Sequence, residues 1–173
     1  MNIKELYEKL RESYTNSFDI TEPYEIGGAK CLGYGYFHNN ASQYVLHKKA
    51  KLWEADSYEH ILFVESHDMS KDLDTAKKLI SHDMEEQFVR RGKKYPAPNH
   101  MYSFVTVVLI TDGNVSEDLV RDIENFKFKK NYLFQIRGYA EGRLIVVDLK
   151  NKEIYTNKKA RELKDFYKKT INF

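Results

Sequence analysis

The chain has 173 residues, 42% hydrophobic and 31% charged, which suits one domain with a sizeable core and excludes an intrinsically disordered chain. No apolar run approaches the ~18 residues of a membrane-spanning helix, and a single cysteine, Cys31, excludes an internal disulfide and a cysteine-based zinc site. The net charge of +2 hides an asymmetry: Lys127 to Phe173 holds 13 Lys and Arg against 5 acids, net +8, leaving 15 against 21, net −6, for the remainder.

The start, Met1 to Lys9, mixes acids and bases and lacks the apolar core of a signal peptide. The expected compartment is therefore the cytoplasm. Cys31 enters a strand, where a lone cysteine reads as a small buried residue before it reads as a nucleophile. The three prolines fall in loops, and no repeat or low-complexity tract divides the chain, so one α/β domain over 1–173 is expected.

Ile3, Leu6, Tyr7, Leu10 and Tyr14 recur at helical spacing, and Asn2 with Glu5 resembles a capping box, so a first helix runs from Ile3 to Tyr14. Thr15 to Ala29 reads as irregular chain ending at Gly27-Gly28. Lys30 to His38 and Gln43 to Trp53 read as a hairpin turning at Asn39-Asn40-Ala41-Ser42. His60 to Ser66 is apolar on both faces, the pattern of a central strand. A long helix follows from Ser70 to about Arg90, with Leu73, Ala76, Ile80, Met84 and Phe88 inward. Gly92 to His100 reads as a loop.

Tyr102 to Ile110, the turn Thr111-Asp112-Gly113-Asn114, a helix capped by Ser116 and a strand from Tyr132 to Tyr139 form a strand–helix–strand unit. Arg143 to Asp148 and Glu153 to Thr156 read as a hairpin, and Asn157 caps a last helix to about Thr170. The expected fold is a three-layer α/β sandwich. Its mixed sheet has a parallel centre, strands starting at His60, Tyr102 and Tyr132, with antiparallel hairpins at the edges and helices on both faces.

Ligands of open α/β sheets gather at the carboxyl ends of parallel strands. That places Glu65, His67, Asp112, Arg137 and Tyr139 as ligand-binding candidates expected to share one cleft. Glu65 and His67 point to one face of a strand, where a carboxylate and an imidazole can hold a metal or share acid–base work. The structural alternative is an ion pair at a strand end. Neither strand-to-helix turn has a glycine-rich phosphate loop, which argues against dinucleotide and P-loop chemistry. His82 and Glu86 have metal-ligand spacing but fall opposite Ile80, on a solvent face. No nucleophile elbow is present. Tyr34, Tyr36, Tyr44 and Tyr58, near His47, Lys49 and Lys51, either pack under a helix or stack nucleic-acid bases.

The order helix, three strands, helix, strand from Ile3 to Ile110 resembles the core of restriction-endonuclease-like nucleases. Their motif is an acid followed by acid-x-Lys on the third strand; here Asp56 precedes that strand and Glu65-Ser66-His67 lies on it, with His67 in the lysine's place. The resemblance covers about two thirds of the chain in element order. It implies metal-dependent phosphodiester cleavage through Asp56, Glu65 and His67, or an inactive derivative of such an enzyme. No cofactor is expected beyond that divalent metal.

The leading expectation is a non-catalytic binding or assembly protein, acting on a protein partner or on itself. The alternatives are the nuclease-like phosphodiesterase and single-stranded nucleic-acid binding through Lys158, Lys159, Arg161, Lys164, Lys168 and Lys169. Those six cations are expected to be exposed on the last helix, over buried Ala160, Leu163, Tyr167 and Ile171.

Overall fold

The computed structural model describes residues 1–45 and 50–173, and side chains outside 42–53. Helix α1 (Ile3–Thr15) starts at a complete capping box: Glu5 N donates to Asn2 Oδ1 at 2.9 Å and Asn2 N to Glu5 Oε2 at 3.0 Å. The segment Thr15 to Ala29, expected to be irregular, carries two short strands, β1 (Asp19–Thr21) and β2 (Tyr24–Ile26), and the strand expected from Lys30 is broken at Leu32, leaving β3 (Ala29–Cys31) ahead of it. Strands β2 and β3 form a small hairpin over Gly27 and Gly28, both at positive φ.

Strands β4 (Gly33–Val45) and β5 (Ala50–Glu65) form one long antiparallel hairpin. The turn expected at Asn39 to Ser42 is strand instead, paired with Ser57 to Glu54. Polar residues there suggested a turn, but on a hairpin arm they serve as cross-strand donors: Asn40 Nδ2 reaches both Glu54 Oε1 (2.8 Å) and Asp56 Oδ1 (2.7 Å). Asp56 is accordingly within β5 and buried, not in a turn. His47 and Lys49 lie outside the described residues, as do the side chains of Tyr44 and Lys51.

Helix α2 (Met69–Lys78) continues as π-helical turns over Leu79–Asp83 and Glu85–Val89. Strand β6 (His100–Thr111), helix α3 (Glu117–Asn125) and strands β7 (Lys129–Asn131), β8 (Tyr139–Asp148) and β9 (Glu153–Thr156) follow, then a 3₁₀ segment (Lys158–Leu163) and helix α4 (Lys164–Ile171).

The main sheet has the order β1-β4-β5-β6-β8-β7, with β9 on the other half of β8's outer side. Strands β5, β6 and β8 are parallel and form its centre; the outer pairings are antiparallel. Helices cover both faces. Leu73, Ile80 and Ile123 from α2 and α3 pack with Leu62, Val107 and Leu144 on one side. Leu6, Leu10 and Tyr167 from α1 and α4 pack with Phe63, Val108 and Ile145 on the other. No helix among the described residues is long and apolar enough to cross a membrane.

One parallel strand differs from expectation. The third is β8, from Tyr139, not Tyr132–Tyr139. Residues 132–138 form a tight loop in which Leu133, Phe134 and Gln135 all have positive φ (48°, 53°, 72°). Tyr132, Phe134 and Ile136 alternate with Gln135 and Arg137 as a strand would, but the tertiary bonds of Tyr132 to Glu85 and of the Arg137 carbonyl to His100 bend the segment into a loop, and Ala140, Gly142, Leu144 and Val146 line the strand face instead.

The last helix buries Ala160, Tyr167 and Ile171 as expected, while Leu163 is half-buried. Lys158, Lys159, Arg161 and Lys169 are exposed; Lys164 and Lys168 are half-buried. Lys159 pairs with Glu141 at 2.9 Å and Lys168 with Glu153 at 3.9 Å.

Between the sheet and the start of the 3₁₀ segment lies a buried cation. Arg143 on β8 meets Glu59 at 3.3 Å and Glu162 at 2.6 Å, and its guanidinium sits 3.7 Å over the ring of Phe104. Burial pushes the Glu59 carboxyl up, against the pull of Arg143. Only the cation is buried, the Glu59 and Glu162 side chains being 34% and 67% exposed, so both carboxylates regain water when it is removed and the loss is ~1–2 kcal/mol, from screened pairs and lost packing over Phe104. Arg143→Ala should therefore lower the melting temperature by ~5 °C in a calorimetric scan, whereas Arg161→Ala, on the exposed side of the 3₁₀ segment, should shift it little.

Candidate functional site at the amino edge of the parallel strands

The parallel centre has two edges, and they differ in chemistry. At the carboxyl edge, Asp72 Oδ2 takes the Ser66 hydroxyl at 2.9 Å and the backbone N–H groups of His67 and Asp68, both at 3.0 Å. Asp148 binds Asn151 through both carboxylate oxygens. Thr111 Oγ1 accepts Gly113 N at 3.0 Å. Donors that would meet an anion are thus consumed locally. Glu65 and His67 stand 3.8 Å apart, with the His67 side chain 80% exposed. Asp112 is exposed on the same edge. Among the described residues, no three His, Cys, Asp or Glu side chains gather as a metal site.

The expected single cleft does not form. Arg137 precedes β8 instead of ending a strand, so it and Tyr139 lie at the amino edge with His100 and Tyr102. Glu65 pairs with Ile110 at the far end of the same strands. At ~3.3 Å per residue, the two groups are some 25–30 Å apart. Asp56 and Glu65 are likewise at opposite ends of β5's pairing with β6, so they cannot share one metal ion. His82 and Glu86 are exposed, as expected. Cys31 is buried, and burial pushes its thiol up to about 11, which suits a packing role.

The amino edge is built by three elements. The helix ends where Arg91 and Gly92 take positive φ. The run Arg90-Arg91-Gly92-Lys93-Lys94-Tyr95 then crosses the edge toward β6. The loop 132–138 closes it from the other side. Glu85, buried at the helix end, binds both: Arg90 Nε at 2.8 Å, Lys130 Nζ at 3.0 Å and the Tyr132 hydroxyl at 2.6 Å. Burial alone would raise the Glu85 carboxyl, but these hydrogen bonds outweigh it and hold the carboxyl below its ordinary range. His100 locks the loop to β6. Its Nδ1 lies 2.7 Å from the Arg137 carbonyl, which only accepts, so Nδ1 carries the proton and Nε2 accepts from Ser103 Oγ at 2.8 Å. Burial lowers its pKa, keeping that neutral tautomer.

These elements enclose a cleft of about 380 Å³ lined by Tyr58, Phe88, Arg91, Lys93, Tyr95 and Arg137, among others. Arg91 lies 5.4 Å over the ring of Tyr58, and Arg137 Nη1 donates to the Pro96 carbonyl at 3.2 Å. Arg91, Lys93, Lys94, Lys129 and Arg137 form no ion pair with a described residue.

Behind the cleft runs a ladder of rings. Register places Tyr34, Tyr36 and His38 of β4 opposite Leu62, His60 and Tyr58 of β5, all on one face. Phe88 stacks on Tyr34 (4.7 Å) and His60 (5.0 Å), and His38 on Tyr58 (4.7 Å). Tyr34, Tyr36 and Tyr58 are all half-buried; Tyr34 is stacked between Tyr24 and Phe88, and Tyr36 and Tyr58 stand toward the open end. Asp56 orients His38 at 2.8 Å and also accepts from Asn40 and Asn99.

The residues missed in the sequence are Arg91, Lys93, Tyr95 and His100. The signal that could have found them is the cationic run ending in Tyr95, which reads as an ordinary helix end until the loop 132–138 faces it.

His60 is the buried titratable group of the ladder. Burial, then the charges of Arg91 and His100, push its pKa down to about 3. The unfolded chain binds this proton more readily, with a pKa of ~6.5. The stabilisation is therefore complete above pH ~6.5 and drains as pH falls toward the folded value, by up to ~1.4 kcal/mol per unit. Melting temperatures measured between neutral pH and pH ~4 should fall steeply for the wild type and less steeply for His60→Phe.

A family model matches residues 2–169. No curated protein and no solved structure matches the chain. With that match spanning nearly the whole sequence, the chain belongs to the family described as a domain of unknown function, DUF8052.

Proposed function

We propose that this chain is a non-catalytic binding protein whose ligand is anionic and carries a planar ring, the chemistry of a nucleotide or of a nucleotide unit in a strand. One observation carries the reading: Arg91, Lys93 and Arg137 converge on a cleft whose walls are the rings of Tyr58, Phe88 and Tyr95. Guanidinium and ammonium groups that form no ion pair with a described residue supply phosphate recognition, and the ring faces supply stacking. Its volume falls in the range of small-ligand sites, ~300–1,000 Å³. The cytoplasm suits such a role and the free thiol of Cys31.

The nuclease-like alternative draws no support from this geometry, because Asp56 and Glu65 sit too far apart to act on one phosphate. Binding through the C-terminal helix is less well supported than binding at the cleft. Two of its six cations are committed to Glu141 and Glu153.

Isothermal titration with thymidine monophosphate, thymidine and inorganic phosphate tests the proposal. The monophosphate should bind more tightly than either fragment. Arg137→Gln and Lys93→Gln should each weaken it by ~10- to 100-fold, the scale of one charge-assisted hydrogen bond. Lys158→Gln, on the far helix, should leave it unchanged. Equal, negligible heats for all three compounds would refute the cleft as a nucleotide site.

A further inference from the structure

We infer that the natural ligand of this edge is single-stranded nucleic acid that continues past the cleft and stacks a further base on Phe134. This rests on the nucleotide reading above and extends it to a polymer.

Three features support a polymer. The cleft is the first of three adjoining hollows around the loop 132–138. A second, of about 560 Å³, shares Tyr95 with it and is lined by Asn131, Leu133, Phe134 and Gln135. A third, of about 340 Å³, shares His100 and Pro98 with the first and Gln135 with the second, and is lined by Ile136, Met101 and Tyr139, with the Glu54 carboxylate on its far wall, so a strand there would be held by base contacts and not by phosphate contacts. A mononucleotide has use for one hollow; a strand has use for several.

The second feature is a repeated pairing of ring and cation. Arg91 lies 5.4 Å over Tyr58, Lys94 5.4 Å over Tyr95 and Lys129 4.6 Å over Tyr139. All three rings are partly exposed. A ring face beside a cation is the unit that a base and its phosphate need; the first two lie on the α2 side of the sheet and the third around its amino edge on the α1/α4 side, with the loop 132–138 between them. A compact ligand would be served by one such unit.

The third is Phe134 itself. Its side chain is 99% exposed, flanked in sequence by Ile136 at 75%. Leu133, Phe134 and Gln135 hold left-handed backbone, which side chains other than glycine adopt only at a cost. The loop is nonetheless tightly determined. Tyr132 N donates to the Gly138 carbonyl (3.0 Å), Arg137 N to Tyr132 (3.1 Å), Ile136 N to Leu133 (3.0 Å) and Gly138 N to Gln135 (2.9 Å). Gly138 has φ +70°, and a Cβ there would run into the Met101 carbonyl. Backbone strain held in place by surrounding bonds is characteristic of functional sites. Here it presents a bare ring in a cationic setting, with Arg137 in the same loop and Lys129 and Lys130 just before it.

The test is fluorescence anisotropy with the full chain and a labelled oligothymidylate of about ten nucleotides, within the site sizes of single-strand binders. Competitors are thymidine monophosphate, an abasic strand of equal length and the corresponding duplex. The oligonucleotide should bind at least ~10-fold more tightly than the monophosphate, and better than the abasic strand and the duplex. Phe134→Ala should weaken the oligonucleotide by ~5- to 100-fold, the worth of one stacked base, and leave the monophosphate unchanged. Lys129→Gln should flatten the log–log salt dependence by ~0.7. An oligonucleotide that binds no better than the monophosphate overturns the inference and leaves the cleft reading standing. So does an abasic strand of equal affinity, or a Phe134→Ala protein with wild-type affinity. Absence of binding by both nucleotide and oligonucleotide overturns the inference together with the cleft reading.

Discussion

The amino edge of this protein hangs on one buried carboxylate. Glu85 sits at the end of the second helix and takes hydrogen bonds from Arg90 on its own helix and from Lys130 and Tyr132 on the segment that precedes β8. A buried carboxylate is stable only when its oxygens are satisfied, ideally by cations. That requirement draws the helix end and the loop 132–138 to the same place. The same bonds occupy Arg90 and Lys130, which sorts the local cations into two groups. Those two hold the structure together, and Arg91, Lys93, Lys94, Lys129 and Arg137 are left facing outward.

The two edges of the parallel strands show how backbone and side-chain donors decide where a ligand can go. Open α/β sheets usually bind at the carboxyl edge, because helix N-termini offer unpaired N–H groups there. Here Asp72 and Asp148 satisfy local donors of that edge, and Glu65, Asp68 and Asp112 add negative charge. An anion would meet carboxylates where it needs donors. The amino edge has the opposite balance. Its acids Glu85 and Asp56 are buried in hydrogen bonds and Glu54 is exposed at its rim, while Arg91, Lys93, Lys94 and Lys129 form no ion pair with a described residue.

The rings of β4 and β5 link this edge to the core. Tyr34, Phe88 and His60 are stacked and largely buried, so they hold the sheet and helix in register. The same ladder continues outward through Tyr58 and His38 to positions that a ligand can reach. Packing and recognition are therefore consecutive parts of one stack. A buried neutral imidazole in its middle makes that stack sensitive to acid, because protonation there has no compensating partner among the described residues.

Much of the fold was legible because it rests on local rules. The capping box at Asn2, the apolar faces of the first and second helices, the central character of Ile61 to Val64 and the cap at Ser116 each follow from a few neighbouring residues. The class, a mixed sheet with a parallel centre and helices on both faces, follows from their order. Two errors had a common cause. Asn39 to Ser42 looked like a turn and Tyr132 to Tyr139 like a strand because residue type was read without partners. Pairing with Ser57 to Glu54 makes the first a strand, and the Glu85 and His100 contacts bend the second into a left-handed loop. Moving the third parallel strand by seven residues carried Arg137 from one edge of the sheet to the other. The candidate site was illegible for the same reason: Arg91, Lys93, Tyr95 and His100 lie in one short stretch that reads as a helix end and loop, and only the fold brings Arg137 and Tyr58 against it. Sequence alone determined which segments could be helix or strand, since that depends on spacing along the chain. Only tertiary structure decided which cations stay free, since that depends on which carboxylates fold against them.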